Sequence, residues 1–208
     1  MIKIAEVFNP TQKELWLPIK QCGVDTVVGG FSLQPIPNAP PDMQPWSYMS
    51  LMRTKTAYAD AGFELAVIED RPPMHKIKLG LPGRDEEIAV IQEFIRNMGR
   101  LGIPVWCYEF MPYVHVVRTS STIPSRGGAL VTGYDHALMK NAPRTEYGEI
   151  SDDQVWDNLK YFLEAVVPVA EEANVKLAAH PDDPPLSPLR GIARVLRSIE
   201  NYQKLLDL

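Results

Sequence analysis

The chain has 208 residues, of which 45% are hydrophobic and 23% are charged, and its formal net charge is -5. This size and composition predict one globular domain, residues 1–208, with a sizeable core and no second domain. The acidic balance argues against nucleic acid or an anionic membrane as the main partner, and no apolar run approaches the roughly 18 residues that a membrane helix needs.

Short apolar runs alternate with longer amphipathic stretches along the chain, which is typical of repeated βα units. The predicted strands cover residues 2–7, 25–28, 64–68, 105–108 and 175–179. The predicted helices cover residues 12–21, 46–61, 85–100 and 151–166, and a last amphipathic helix carries Ile192, Val195, Leu196, Ile199 and Leu205. The pattern therefore predicts five βα units.

Two cysteines, Cys22 and Cys107, lie in apolar contexts without C-x-x-C spacing. This usage argues against a disulfide framework and against a zinc knuckle, and it favours a cytoplasmic location. The apolar run at the N-terminus is too short for a signal peptide, so we interpret it as the first strand.

The segment 111–149 is long for a connection and rich in Gly, Pro, Ser and Thr. Connections of this length are usually functional or disordered. Tyr134, Asp135 and His136 lie within it, and they are candidates either for a mobile lid or for ordinary loop polarity.

A stiff polar loop, residues 180–185 (His-Pro-Asp-Asp-Pro-Pro), follows the fifth predicted strand. The prolines forbid a helix and hold the preceding residues in extended geometry. His180 could bind a divalent ion, while Asp182 and Asp183 could orient that ligand, bind a substrate hydroxyl or move a proton. The alternative is a hydrogen-bonded strand cap followed by two turn-forming aspartates.

This loop and residues 189–195 (Leu-Arg-Gly-Ile-Ala-Arg-Val) closely resemble the corresponding loop and helix of D-mannonate dehydratases. Further pieces resemble the family in the same order, namely residues 67–69, 73–78, 105–112 and 118–119. The resemblance implies a TIM (β/α)8-type barrel, here incomplete because about five units are present. It also implies a metal-dependent hydro-lyase that converts D-mannonate to 2-keto-3-deoxy-D-gluconate and water with Mn²⁺ or Fe²⁺.

The resemblance carries roles over to five residues. His180 is implied as a metal ligand, and Glu69, His75, Arg118 and Asp182 as substrate-binding residues. Arg118 suits a carboxylate because a guanidinium offers a planar pair of donors. A surface salt bridge for Arg118 and a solvated loop position for His75 are the alternatives.

The family takes its other metal ligands, a Cys, a second His and an Asp, from later strands, and no matching motifs occur here. We therefore assign no catalytic residue. Tyr108 and Glu109 end the fourth strand and could line the pocket. Val116 stands where the family commonly has Trp, so the resemblance does not fix the substrate specificity.

Two other functions stay open from the sequence. One is a divalent-metal sugar isomerase or epimerase of the xylose isomerase-like barrels. The other is a catalytically silent partial barrel, in which open sheet edges pair with a second copy, since unpaired strands promote self-association. Both enzyme hypotheses predict a sugar or sugar-acid substrate, and the open sheet edges predict a homo-oligomer.

Overall fold

The computed structural model describes residues 2–208, which contain seven strands. Five of them form a parallel sheet in the order β1-β2-β3-β4-β7, and the other two form an antiparallel hairpin. The strands are β1 Ala5–Phe8, β2 Thr26–Gly29, β3 Glu64–Ile68, β4 Val105–Glu109, β5 Ser120–Pro124, β6 Leu130–Gly133 and β7 Lys176–His180. The parallel order agrees with the predicted βα units, because each helical crossover returns the chain to the end of the sheet at which the previous strand began.

The helices are α1 Trp16–Gln21, α2 Tyr48–Asp60, α3 His75–Leu79, α4 Arg84–Arg100, α5 His136–Met139, α6 Asp152–Glu172 and α7 Ile199–Leu206. The longest of them, α6, begins at a capping box in which Ser151 and Gln154 exchange side-chain and backbone hydrogen bonds. This box satisfies amide groups that the first helical turn leaves without partners. Within residues 2–208, no helix combines the length and the apolar character needed to cross a bilayer.

The core lies between one face of the sheet and the helices. Along β4, Trp106 and Tyr108 are buried, while Cys107 and Glu109 on the opposite face are partly exposed. Trp106 makes an edge-on contact with Phe94 of α4 and packs near Phe162 of α6. Because successive strand residues point to opposite faces, the face away from the helices is left to carry polar groups.

Three predicted elements differ from the structure. Residues 111–149 were expected to be a loop, but they contain the β5–β6 hairpin and α5. His75 was placed in a loop and instead begins α3. The last helix was expected to include residues 192–197, but it begins at Ile199, because backbone groups in that stretch pair instead with Ile150 and Asp182, which are distant in the chain.

Candidate functional site

The carboxyl ends of β3, β4 and β7 carry polar side chains around a cavity of about 180 Å³. We call it the strand-end cavity, and its lining consists of Glu69, Asp70, Arg71, Cys107, Glu109, Met111, Val116 and His180. Glu109 and His180 are the last residues of neighbouring strands and lie opposite each other in the ladder. The carboxyl ends of parallel strands are the usual place for ligand sites in α/β proteins.

A second cavity of about 120 Å³ lies beside the first, and Arg71 lines both. We call it the adjoining cavity, and its other lining residues are Gln34, Pro72, Pro73, Met74, His75, Lys78, Tyr113 and His115. The two cavities together bring three of the predicted site residues, Glu69, His75 and His180, to one end of the sheet.

His180 is oriented by the carbonyl oxygen of Pro181, which lies 2.6 Å from its Nδ1. A carbonyl only accepts, so Nδ1 carries the proton and Nε2 of the neutral ring keeps its lone pair. This Nε2 lies 3.8 Å from Oε1 of Glu69. An imidazole whose other nitrogen is held by a carbonyl, next to a carboxylate, is an arrangement that can bind a divalent cation.

The remaining donors at the strand-end cavity do not complete a metal site. Burial raises the pKa of the Cys107 thiol to about 11, with a further contribution from the charge of Glu69, so this thiol stays protonated at neutral pH. No group of three His, Cys, Asp or Glu side chains suited to a metal occurs anywhere in residues 2–208. His180 and Glu69 thus form a partial ligand pair, whereas Mn²⁺ and Fe²⁺ sites draw several N and O ligands.

Glu109 is the centre of an ionic network under the cavities. Its Oε1 accepts from Lys78 Nζ and lies 2.5 Å from Arg71 Nε in an ion pair, while its Oε2 accepts from the Met111 amide at 2.6 Å. Burial alone would raise the pKa of Glu109, but hydrogen bonding with His115 and the charges of Lys78 and Arg71 hold it well below its usual range. Glu109 is therefore a permanent anion that positions two cations.

Lys78 reaches this network from α3 and is only 1% exposed. Burial lowers the pKa of its ammonium group to about 8, although the negative charge of Glu109 opposes that shift. Asn158 of α6 donates to the Lys78 carbonyl at 3.1 Å, which ties α3 to the helical layer. The short helix therefore serves to bring one charged group into the interior.

His75 lies at the start of α3 and faces the adjoining cavity. Its Nε2 is 2.8 Å from the Tyr147 hydroxyl, and its ring packs beside Tyr113 and Tyr147. The long segment 111–149 thus supplies the wall opposite α3. The substrate-binding role of His75 stays a prediction.

Arg118 and Asp182 do not line either cavity. Both terminal nitrogens of Arg118 donate to the Asp183 carboxylate, at 2.8 and 2.6 Å, and this pairing lowers the pKa of Asp183. Asp182 is 3% exposed and its Oδ2 accepts from the Leu196 amide at 2.7 Å. The substrate-binding roles of Arg118 and Asp182 remain predictions, and in this structure both side chains hold the loop.

Several polar residues singled out in the sequence lie elsewhere. Tyr108 is buried toward the helices, Asp135 caps α5, and the Tyr134 hydroxyl contacts the ring of exposed His136. Of the two candidates at the end of β4, Tyr108 and Glu109, only Glu109 lines the strand-end cavity.

The sequence reasoning missed the cations Arg71 and Lys78. Arg71 follows Glu69 and Asp70 at the end of β3, so its position in the chain was a usable signal. Lys78 follows His75 by three residues, which places both on one side of a helix, but that helix was not predicted.

The family model described as D-mannonate dehydratase (UxuA) matches residues 13–147 and 142–208. The mannonate dehydratase of Thermotoga neapolitana is 34% identical over 215 residues, covering 88% of this chain and 58% of that protein. The Streptococcus pneumoniae enzyme is 35% identical over 189 residues, covering 79% and 51%.

Two solved structures are similar to this chain in fold. The mannonate dehydratase of Streptococcus suis is 32% identical with a TM-score of 0.80, covering 99% of this chain and 59% of that one. An L-ribulose 3-epimerase is 14% identical with a TM-score of 0.54, and this likeness concerns the fold alone. Together they confirm the prediction of a partial TIM-type barrel.

The chain spans between one half and three fifths of the length of the relatives it matches. The match nevertheless runs through nearly all of its own residues, including the strand-end cavity and the loop 180–185. The chain therefore belongs to the D-mannonate dehydratase family.

Proposed function

We propose that this chain forms part of a metal-dependent hydro-lyase that converts D-mannonate to 2-keto-3-deoxy-D-gluconate and water. The observation that supports the proposal is the strand-end cavity, where His180 and Glu69 lie 3.8 Å apart beside the Glu109–Arg71–Lys78 network. A sugar acid needs both a polar, hydroxyl-binding wall and positive charge for its carboxylate, and these residues offer both.

The elimination develops negative charge beside the substrate carboxylate when the C2 proton and the C3 hydroxyl leave. Fixed cations lower the energy of such charge most where water is excluded. Arg71 and Lys78 are fixed in this way because Glu109 holds them. We assign the transfer of the proton to none of these side chains.

Mn²⁺ or Fe²⁺ is the cofactor that we propose, with His180 Nε2 and Glu69 as two of its ligands. These two donors do not make a complete set, so no step of the reaction is derived from the metal. We further propose a cytoplasmic location, which the free thiols of Cys22 and Cys107 support.

Titration calorimetry of the 208-residue chain with Mn²⁺, with and without D-mannonate, tests this proposal. We expect Mn²⁺ binding that mannonate strengthens, and we expect His180→Ala to weaken it. His136→Ala is the matched control, because His136 is an exposed histidine on α5. Failure of the chain to bind Mn²⁺ or mannonate, or equal binding by the His180→Ala variant, would contradict the assignment.

A catalytically silent, self-associating partial barrel is the second candidate, and one surface favours it. An apolar groove of about 480 Å³ lies along β7 between α6 and α7, and its apolar lining includes Leu163, Val167, Leu177, Tyr202 and Leu205. β7 is also an edge strand of the sheet. Open edges and apolar grooves favour pairing with a second copy, so we propose a homo-oligomer.

Light scattering after size-exclusion chromatography tests the second candidate. Val167 is 37% exposed in the groove, so we expect Val167→Glu to shift the chain toward monomer without unfolding it. Leu138→Glu, at a 69% exposed position on α5, is the matched control and should leave the mass unchanged. A monomeric wild-type chain would exclude self-association.

A further inference from the structure

Arg71 differs from every other cation near the site in lining both cavities. We infer that Arg71, rather than Arg118, is the side chain that binds the carboxylate of the sugar acid. The inference rests on the proposed function and adds the residue that makes the site specific for an acid over a neutral sugar.

The guanidinium of Arg71 is held on one side and open on the other. Its Nε forms an ion pair with Glu109 Oε1 at 2.5 Å, and its Nη2 lies 3.1 Å from His115 Nδ1. Its Nη1 lies 3.8 Å from Asp70 Oδ1, beyond hydrogen-bond distance, and makes no hydrogen bond to any residue in the range 2–208. With a side chain that is 23% exposed, Arg71 offers terminal N–H groups to a ligand in the cavity.

The carboxylate that contacts Arg71 is shared with a second cation. The Glu109 carboxylate contacts two cations, Arg71 and Lys78, so this contact leaves one positive charge without a partner. Asp70 and Glu69 also line the strand-end cavity, but Asp70 Oδ1 accepts from the Arg71 backbone amide at 2.7 Å and Glu69 lies beside His180, with 3.8 Å between its Oε1 and His180 Nε2. A ligand carboxylate on Nη1 and Nη2 would balance the network in the planar, paired geometry that guanidinium groups prefer.

Arg118 is less able to play this part. Its two terminal nitrogens already hold both oxygens of Asp183, and its Nε donates to the Thr132 hydroxyl at 3.0 Å. Binding a substrate carboxylate would require that paired contact to break first. Its contacts join the β5–β6 hairpin to the loop 180–185, which is a positioning role.

Calorimetry with two ligands separates the two arginines. D-mannonate and D-mannitol share the same chain of hydroxyl groups, but only mannonate has a carboxylate. We expect the wild-type chain, in Mn²⁺-containing buffer, to prefer mannonate, and Arg71→Lys to reduce that preference by about 10- to 100-fold, the range for a lost charge-assisted hydrogen bond. Arg71→Lys keeps the charge beside Glu109, so it is the variant that preserves the network, and Arg71→Gln should reduce the preference further.

Arg144→Gln is the matched control, because Arg144 forms an exposed ion pair with Glu149 outside both cavities. It should leave the preference unchanged. An unchanged preference in Arg71→Lys, an equal loss of both ligands, or a loss in Arg118→Gln alone would overturn the inference while the proposed function stands. A wild-type chain that does not bind mannonate would overturn the proposed function and the inference with it.

Discussion

Replacing Glu109 with glutamine tests whether the ionic network holds the site end of the sheet together. The substitution keeps the shape of the side chain and its hydrogen bond to Met111, but it removes the negative charge between Lys78 and Arg71. Lys78 then keeps a buried charge without a counterion, since its side chain is 2% exposed. The variant therefore measures the cost of an unpaired charge rather than of a cavity.

The expected cost follows from burial. Removing one partner of a buried ion pair costs about 3–5 kcal/mol, whereas an exposed pair contributes about 0–1 kcal/mol. The Glu109 side chain is 13% exposed and that of Lys78 is 2% exposed, so this pair belongs to the buried class. Arg71, at 23% exposed, can turn toward water and adds less. We expect Glu109→Gln to lower the free energy of unfolding by roughly 3–5 kcal/mol near neutral pH.

Urea unfolding followed by circular dichroism measures this change. With a slope of about 2–3 kcal/mol per M, the midpoint should fall by roughly 1–2.5 M. Glu64→Gln is the matched control, because Glu64 forms an exposed pair with Lys3 in which the side chains are 59% and 62% exposed. A Glu109→Gln variant that loses no more stability than Glu64→Gln would refute the reasoning.

The pH dependence of the loss gives a second check. The pKa of Lys78 is already lowered to about 8 in the folded protein, and without Glu109 it falls further. A lysine whose folded-state pKa is depressed binds fewer protons when folded, so stability rises with pH until the unfolded-state pKa is reached. The variant begins this rise at lower pH than the wild type. The difference between the two proteins should therefore shrink as the pH rises toward 8.

Three further substitutions probe other parts of the fold. Burial raises the pKa of Asp182 from 3.8 to about 6, so the stability that protonated Asp182 contributes is present below pH 3.8 and is lost as the pH rises through 6. Asp182→Asn avoids this loss, so in urea unfolding its free energy of unfolding relative to the wild type should rise by up to about 3 kcal/mol between acid and neutral pH. Gly99→Ala should lower the melting temperature, because its Cβ would lie 2.4 Å from the Ala173 carbonyl oxygen, and a clash of about 1–3 kcal/mol outweighs the roughly 1 kcal/mol helix preference. Ser151→Ala should cost about 1 kcal/mol of unfolding free energy through loss of the capping box with Gln154, and an unchanged value would show that packing alone fixes α6.

The sheet and the long helices were predictable because their signals are local. Apolar runs bounded by Gly or Pro gave the strands, and the spacing of Ile88, Ile91 and Ile95 gave α4, which the structure confirms. The last helix was placed too early because residues 192–197 carry the same apolar character as a helix face. Their backbone is instead held by distant groups, including Asp182, and a single sequence carries no sign of such contacts.

The site was predictable where chemistry coincides with a strand end. His180, Glu69 and Glu109 each close a strand or follow one directly, so the parallel order brings them together. Arg118 met the same chemical criterion as Arg71, and the position of Arg71 just after a strand was the sequence signal that separated them. The pairing of Arg118 with Asp183 spans 65 residues, and only the fold reveals that this guanidinium is occupied.

The open face of the sheet connects the family assignment with the site. Helices cover one face, on which Trp106 is buried, whereas Cys107 and Glu109 on the other face are only partly covered. In a closed barrel such inward residues are packed by the strands opposite. A charged network centred on Glu109 can tolerate this position because Lys78 and Arg71 neutralise it locally, without help from a facing strand. The proposed carboxylate-binding residue, Arg71, is therefore held by contacts within these five units, whereas His180 and Glu69, the proposed metal ligands, have no third metal-capable His, Cys, Asp or Glu beside them in residues 2–208.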